Sequence, residues 1–278
     1  MSQTIRLGIS TCPNDTFAFH ALMNRKVDWR GLDFQVELLD IQQLNGRLFD
    51  GSFDVAKASF HAALHLADRM VVLPSGSALG FGVGPLLLSS ESNQIPSQSD
   101  QLTLCPGQHT TAALLFALFY PNTTRMKHVL FSDIMPSLQR GAADFGVCIH
   151  EGRFTWEQEG LHLVEDLGTR WERETACPLP LGGILASRQL TNPILAKVQA
   201  VIRSSIEYGL CHREETAETM RHYAQEFDDH VLFQHVDLYV NDWTLDLGET
   251  GQRALDELAN RAKAIGLIRE HGTTLKIM

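Results

Sequence analysis

The run Asp144-Phe145-Gly146-Val147-Cys148-Ile149 reads as a buried strand, and it ends on His150. An imidazole, whose ordinary pKa is about 6.5, is the side chain best suited to take a proton near neutral pH. Directly after a buried strand it would stand at a cleft edge, where a general base belongs, although a strand-end histidine is more often a hydrogen-bonded surface group than a catalyst. Glu151 adjoins it, but neighbouring strand residues point to opposite faces, which argues against a direct pair. A second run, Asp54-Val55-Ala56-Lys57-Ala58-Ser59, carries a lysine inside otherwise apolar sequence. An unpaired ammonium is costly to bury, so Lys57 has to meet a ligand carboxylate, meet a structural acid, or bend out to water. Ser59 is open to the same range of readings.

Two polar segments add hydrogen-bond donors. Thr11-Cys12-Pro13-Asn14-Asp15-Thr16 and Gly107-Gln108-His109-Thr110-Thr111 each precede a predicted helix. Helix amino termini offer free N–H groups and a positive dipole end to a carboxylate, although caps need the same residue types for stability alone. Other patterns carry less. His61 and His65 stand four apart on a predicted helix, yet no third ligand is evident and Ala62, Ala63, Leu64 and Leu66 favour helix packing, so no metal is expected. Gly80-x-Gly82-x-Gly84 lacks the spacing of a dinucleotide loop and reads as a turn, and Phe154 stands where a zinc motif starting at His150-Glu151 needs its second histidine. The five cysteines, never in a C-x-x-C pair, read as reduced thiols.

A repeated order of elements carries these residues. A strand at 5–10, the polar turn, a helix at about 16–24, a strand at 33–39, a helix at 41–49 and a buried strand at 54–59 form a β-α-β-α-β unit. The order returns with a strand at 101–105, a helix at 112–119, a strand at 128–131, a helix ending at 139 and a strand at 144–149. Gly-x-x-Asp precedes the last strand both times, at Gly51/Asp54 and Gly141/Asp144. Strands at 70–74 and 85–89 flank a glycine-rich loop, and a return strand is expected at 181–187. Helices are expected at 194–210, 214–227, 231–240 and 251–265, covering one lobe.

With 44% hydrophobic and 20% charged side chains over 278 residues, the chain can pack one large α/β domain or two lobes, and the repeat favours two. A formal net charge of -10 repels a phosphate backbone, so nucleic acid is not an expected partner. No apolar run approaches the roughly 20 residues that cross a bilayer. The amino terminus has no signal-peptide pattern, which leads to the expectation of a cytoplasmic protein.

Five segments in order, Ser10-Thr11-Cys12-Pro13-Asn14-Asp15-Thr16-Phe17, Lys57-Ala58-Ser59-Phe60, Gly107-Gln108-His109-Thr110-Thr111-Ala112, Ile149-His150-Glu151-Gly152-Arg153-Phe154-Thr155 and Leu179-Pro180-Leu181-Gly182-Gly183, resemble the 1,4-dihydroxy-6-naphthoate synthase family of the futalosine route to menaquinone. The resemblance extends over nearly the whole chain. It implies an α/β, two-lobed, type 2 periplasmic-binding-protein-like fold with a ligand cleft between the lobes. Residues 1–87 and 185–278 would form the larger lobe and 88–184 the smaller. It implies a carbon–carbon lyase that converts cyclic dehypoxanthinyl futalosine, a small aromatic carboxylate, into 1,4-dihydroxy-6-naphthoate without cofactor or metal. His150 matches the family's proton-accepting histidine. Lys57, Ala58 and Ser59, with Thr111 and Ala112, match its ligand-contacting segments, and Asn14 and Thr110 from the two helix starts complete the expected site. The competing readings are a solute-binding protein for a small carboxylate and a chorismate dehydratase of the same fold. A ligand-sensing regulatory domain is weaker, since no DNA-binding helix-turn-helix precedes the first strand.

Overall fold

The computed structural model describes residues 3–150, 152–224, 228–268 and 274–278. The first unit runs β1 (Gln3–Ser10), α1 (Pro13–Met23), β2 (Leu32–Leu39), α2 (Ile41–Phe49) and β3 (Val55–Ser59), and α3 (Phe60–Leu66) continues β3. Short strands β4 (Met70–Val72) and β5 (Ala78–Gly80) follow, and β6 (Leu86–Ser89) crosses into a second sheet. The second unit runs β7 (Leu102–Cys105), α4 (Thr111–Phe119), β8 (Arg125–His128), a 3-10 turn, α5 (Ile134–Gln139) and β9 (Phe145–Cys148), then α6 (Gly152–Thr155). After β10 (His162–Asp166) and α7 (Leu167–Thr175), β11 (Leu179–Ser187) returns to the first sheet. Helices α8 (Asn192–Cys211), α9 (Ala217–Tyr223), α10 (Asp229–Tyr239), α11 (Asp242–Leu245) and α12 (Gly248–Ala264) follow.

The sheets are ordered β2-β1-β3-β11-β4, with β5 on β11, and β10-β6-β9-β7-β8. Each contains a parallel trio with the unit's first strand at its centre, and each trio is continued by an antiparallel strand from a crossing segment, β11 beside β3 and β6 beside β9. The repeated Gly-x-x-Asp has a physical basis. Gly51 and Gly141 take positive φ values of 71° and 65° just after a helix, a backbone region open to glycine without strain. Three residues on, the carboxylate accepts a backbone N–H from the unit's first strand: Asp54 from Arg6 at 2.9 Å, Asp144 from Leu102 at 2.6 Å.

Several expected boundaries move. α1 starts at Pro13, three residues before Thr16, because proline's fixed φ suits the first helical position; Asn14, Asp15 and Thr16 are thereby buried in the first turn. β8 occupies 125–128, a mostly exposed edge strand, whereas the apolar Val129-Leu130-Phe131 that suggested a strand forms the connection and the start of the 3-10 turn. The helix expected at 214–227 is a 3-10 turn followed by α9, ending at Tyr223; Phe227 lies outside the described residues. A lobe division at 87/88 would cut β6 and one at 184/185 would cut β11, since strand pairing keeps Leu86–Ser89 in the second sheet and Leu179–Ser187 in the first.

α1 and α8 cover one face of the first sheet, where Ile5, Leu7, Phe19 and Leu22 pack with Val198, Val201 and Ile202. The largest apolar cluster runs from Leu44, Ala58 and Phe60 on the first-sheet side through Phe116 and Phe145 to Trp171. The lobes are thus joined by continuous packing on one side and leave a cleft on the other.

Candidate active site

The ends of β1, β3 and the β9 segment, the starts of α1 and α4, and one end of α10 enclose a cleft with a volume of ≈ 670 Å³ counted out to its mouth. Asn14, Lys57, Ser59, Thr110, Thr111, Ala112 and His150 all line it. Ala58 does not. Strand alternation turns its side chain to the opposite face from Lys57 and Ser59, and it is fully buried in the core.

The wall from the first sheet is paired internally. Lys57 Nζ donates to Asp15 Oδ1 at 2.6 Å and to the Gly76 carbonyl at 3.1 Å, with both charged side chains nearly removed from solvent. An ammonium has three hydrogens, so one remains for a cleft ligand. Asn14 Nδ2 donates to the same Asp15 oxygen at 3.1 Å. Asn45 brackets Ser59, donating to its hydroxyl at 3.1 Å and accepting its backbone N–H at 3.0 Å. Gly182 lines this wall and must be glycine, because a Cβ there would lie 2.6 Å from the Ala58 carbonyl oxygen.

The wall from the second sheet presents α4. Thr110 is its cap, accepting the Ala113 N–H at 3.2 Å and donating to the Gly107 carbonyl at 2.9 Å. Thr111 donates its hydroxyl to the Leu181 carbonyl at 2.7 Å, tying α4 to the return strand. The Thr111 and Ala112 amides belong to the first turn and have no intrahelical acceptor, which makes them anion donors at the positive end of the helix.

His150 has φ = 56°, a left-handed conformation uncommon for a residue with a side chain. It follows β9, and its Nδ1 lies 3.1 Å from Cys12 Sγ across the cleft, with Nε2 at 3.6 Å from the same sulfur. Phe131 meets the ring edge-on at 4.7 Å. Glu151, considered as its orienting partner, lies outside the described residues. His235 on α10 stacks on His150 at 6.2 Å and lines the cleft with Tyr239. Burial, followed by the neighbouring His150 and Lys57, holds His235 well below the ordinary histidine pKa.

Sequence reading missed His235 and Tyr239 as cleft residues, and it placed Cys12 in a cleft-facing turn without giving the thiol a role of its own. Cys12 was legible only as a thiol before a helix-starting proline. His235 sits in the stripe Leu232, His235, Val236, Tyr239, a core-facing spacing that draws attention to apolar partners. The third histidine not foreseen near His61 and His65 is His109, whose ring lies 6.0 and 5.3 Å from theirs. Even so, no group of three or more histidines, cysteines or acids among the described residues is arranged to hold a metal ion. Burial, with His65 next in importance, lowers His61 to about 4.

Solved structures of low sequence identity share this arrangement. The ligand-binding component of an ABC-type import system from Staphylococcus aureus has a TM-score of 0.73 at 12% identity, covering 100% of this chain and 97% of its own. The periplasmic aliphatic sulphonate binding protein of Escherichia coli has a TM-score of 0.67 at 15% identity, covering 100% of this chain and 91% of its own. Two sheets facing a common cleft make the molecule a two-lobed α/β protein of the periplasmic-binding-protein-like fold.

Nearer relatives narrow this further. A protein from Archaeoglobus fulgidus has a TM-score of 0.90 at 30% identity, covering 95% of this chain and 98% of its own. Two proteins named 1,4-dihydroxy-6-naphtoate synthase are 40% identical over 265 residues (Thermus thermophilus; 95% of this chain, 96% of the relative) and 38% identical over 273 residues (Streptomyces coelicolor; 96% and 95%). A family model described as menaquinone biosynthesis matches residues 5–264, and the chain belongs to that family. Among the described residues no helix is long and apolar enough to cross a membrane.

Proposed function

We propose that this protein is a carbon–carbon lyase of menaquinone biosynthesis that converts cyclic dehypoxanthinyl futalosine to 1,4-dihydroxy-6-naphthoate in the cytoplasm. Relatives bearing the synthase name along nearly their full length support the activity. The observation that carries the mechanism is that one cleft gathers His150 with the first-turn residues Thr111 and Ala112 of α4 and with Lys57.

In this reading the Thr111 and Ala112 amides and Lys57 hold the substrate carboxylate, which local dipoles can do despite the net charge of -10. Asn14, Ser59 and Thr110 shape the polar wall; Ala58, turned into the core, makes no side-chain contact. Unprotonated His150 takes a carbon-bound proton. The electron pair of that C–H bond forms the new ring double bond as the carbon–carbon bond to the departing fragment breaks; the pair of the broken bond leaves on the fragment, to which the proton held by His150 is returned, and formation of the aromatic ring drives the step. The first lobe comprises β1–β5 with everything from β11 onward, the second β6 through α7, and their closure excludes water and sets the base against the proton.

His150→Asn tests this on purified substrate. The expected outcome is loss of naphthoate formation by about a hundredfold or more, the scale of general base catalysis, with substrate binding retained. Product formation within a few-fold of wild type would remove His150 as the base. Wild type that binds substrate without converting it would reduce the protein to a carboxylate binder.

A further inference from the structure

His235 is a polar group of the cleft wall that the proposed chemistry leaves unused. It is 1% exposed, and among the described residues neither ring nitrogen has a hydrogen-bond partner, whereas His61, also buried, meets the Thr110 carbonyl at 3.2 Å. Buried polar groups in native proteins are paired with few exceptions, and an exception on a cleft wall points to a ligand as the missing partner. Aromatic neighbours fix the ring: Tyr239 at 4.5 Å, Phe154 at 6.2 Å, and His150 nearly parallel at 6.2 Å with an interplanar angle of 23°.

The surroundings determine what this imidazole can bind. Burial and the nearby Lys57 and His150 oppose a proton on it, so it stays neutral and offers one N–H donor and one lone pair. A carboxylate would favour a charged donor, and the α4 amides and Lys57 already provide for one. A neutral donor and acceptor side by side match a hydroxyl or carbonyl oxygen. We propose that His235 is a substrate-binding residue that pairs with a hydroxyl or carbonyl oxygen of the bound substrate and so turns its oxygenated part toward His150. This rests on the reading of the cleft as the lyase site.

Three variants, His235→Phe, His235→Gln and His235→Asn, are compared with wild type in KM, kcat and melting temperature. Phenylalanine fills the ring's space without polar atoms and is expected to raise KM about three- to tenfold, the worth of one neutral hydrogen bond. Glutamine mimics Nε2 and asparagine Nδ1, so the variant whose amide reaches the oxygen should recover most of the loss. Equal KM and kcat in wild type and His235→Phe would overturn the proposal, as would a KM rise that neither amide reverses. Should the variants fold poorly, the ring nitrogens of histidine-labelled wild type are followed by NMR as substrate is added. A shift of the His235 resonances supports the assignment, and saturation without one overturns it. If wild type binds substrate but yields no naphthoate, the lyase reading fails while the NMR result still decides on His235.

Discussion

The two β-α-β-α-β units share strand order, glycine turn and aspartate latch, and they deliver opposite kinds of functional group to the cleft. The first ends in a strand buried at every position, and its charged residue is held on two sides by Asp15 and Gly76. The second ends in His150, placed just past the strand in a left-handed backbone and touched by a sulfur from the opposite lobe. A repeated scaffold therefore fixes where a side chain emerges, while long-range partners decide whether it is a strut or a reagent. Lys57 is mainly the former, with one hydrogen to spare, and His150 is free to be the latter.

The largest expected effect falls on the strut. Lys57→Met leaves the Asp15 carboxylate buried without its cation, which should destabilise the fold by about 3–5 kcal/mol. The double variant Lys57→Met/Asp15→Leu removes both charges and should regain much of that loss. Urea unfolding of wild type, Lys57→Met, Asp15→Leu and the double variant gives the coupling. A coupling near zero would mean that Lys57 is held for the ligand alone, and the contrast between the units would collapse.

The next effect lies where the units meet a second time, at His61 after β3 and His109 before α4. His61 takes a proton only near pH 4 when folded, against about 6.5 when unfolded. The unfolded chain therefore binds more protons between those values. Stability from this group is complete above about pH 6.5 and falls by about 3 kcal/mol as the pH drops to 4. His65, His109 and His128 are lowered too, chiefly by burial, and act in the same direction. His61→Phe should show a smaller loss of stability between pH 7.5 and pH 5 in urea titrations, at the cost of about 1 kcal/mol at neutral pH for the lost bond to Thr110. An unchanged loss would place the acid sensitivity elsewhere.

Local signals carried through to the structure. α2 stands at Ile41–Phe49 as expected because Asp40 and Gln43 form a reciprocal cap, and the Gly51 and Gly141 turns announce the strands that follow. What was not legible was pairing at a distance. Asp15 is 42 positions from Lys57 and Cys12 is 138 from His150, so no spacing could choose between ligand and structural acid or identify the thiol. β8 escaped because Arg125-Met126-Lys127-His128 is an edge strand without an apolar face. His235 escaped because its helical position is one that a core residue would occupy.

The smallest effect tests the contact that crosses between the units. Cys12 Sγ lies within 3.6 Å of both ring nitrogens of His150, and Phe131 meets the ring edge-on, so removing the sulfur should let the base swing without changing how the carboxylate is held. Cys12→Ala is expected to lower kcat about fivefold, the scale of one weak hydrogen bond, with KM and the melting temperature nearly unchanged. Cys12→Ser keeps a donor and should fall between alanine and wild type. A change in KM alone would make Cys12 part of the substrate wall. If kcat is unaltered in both variants, the left-handed backbone at residue 150 and Phe131 are enough to aim the base.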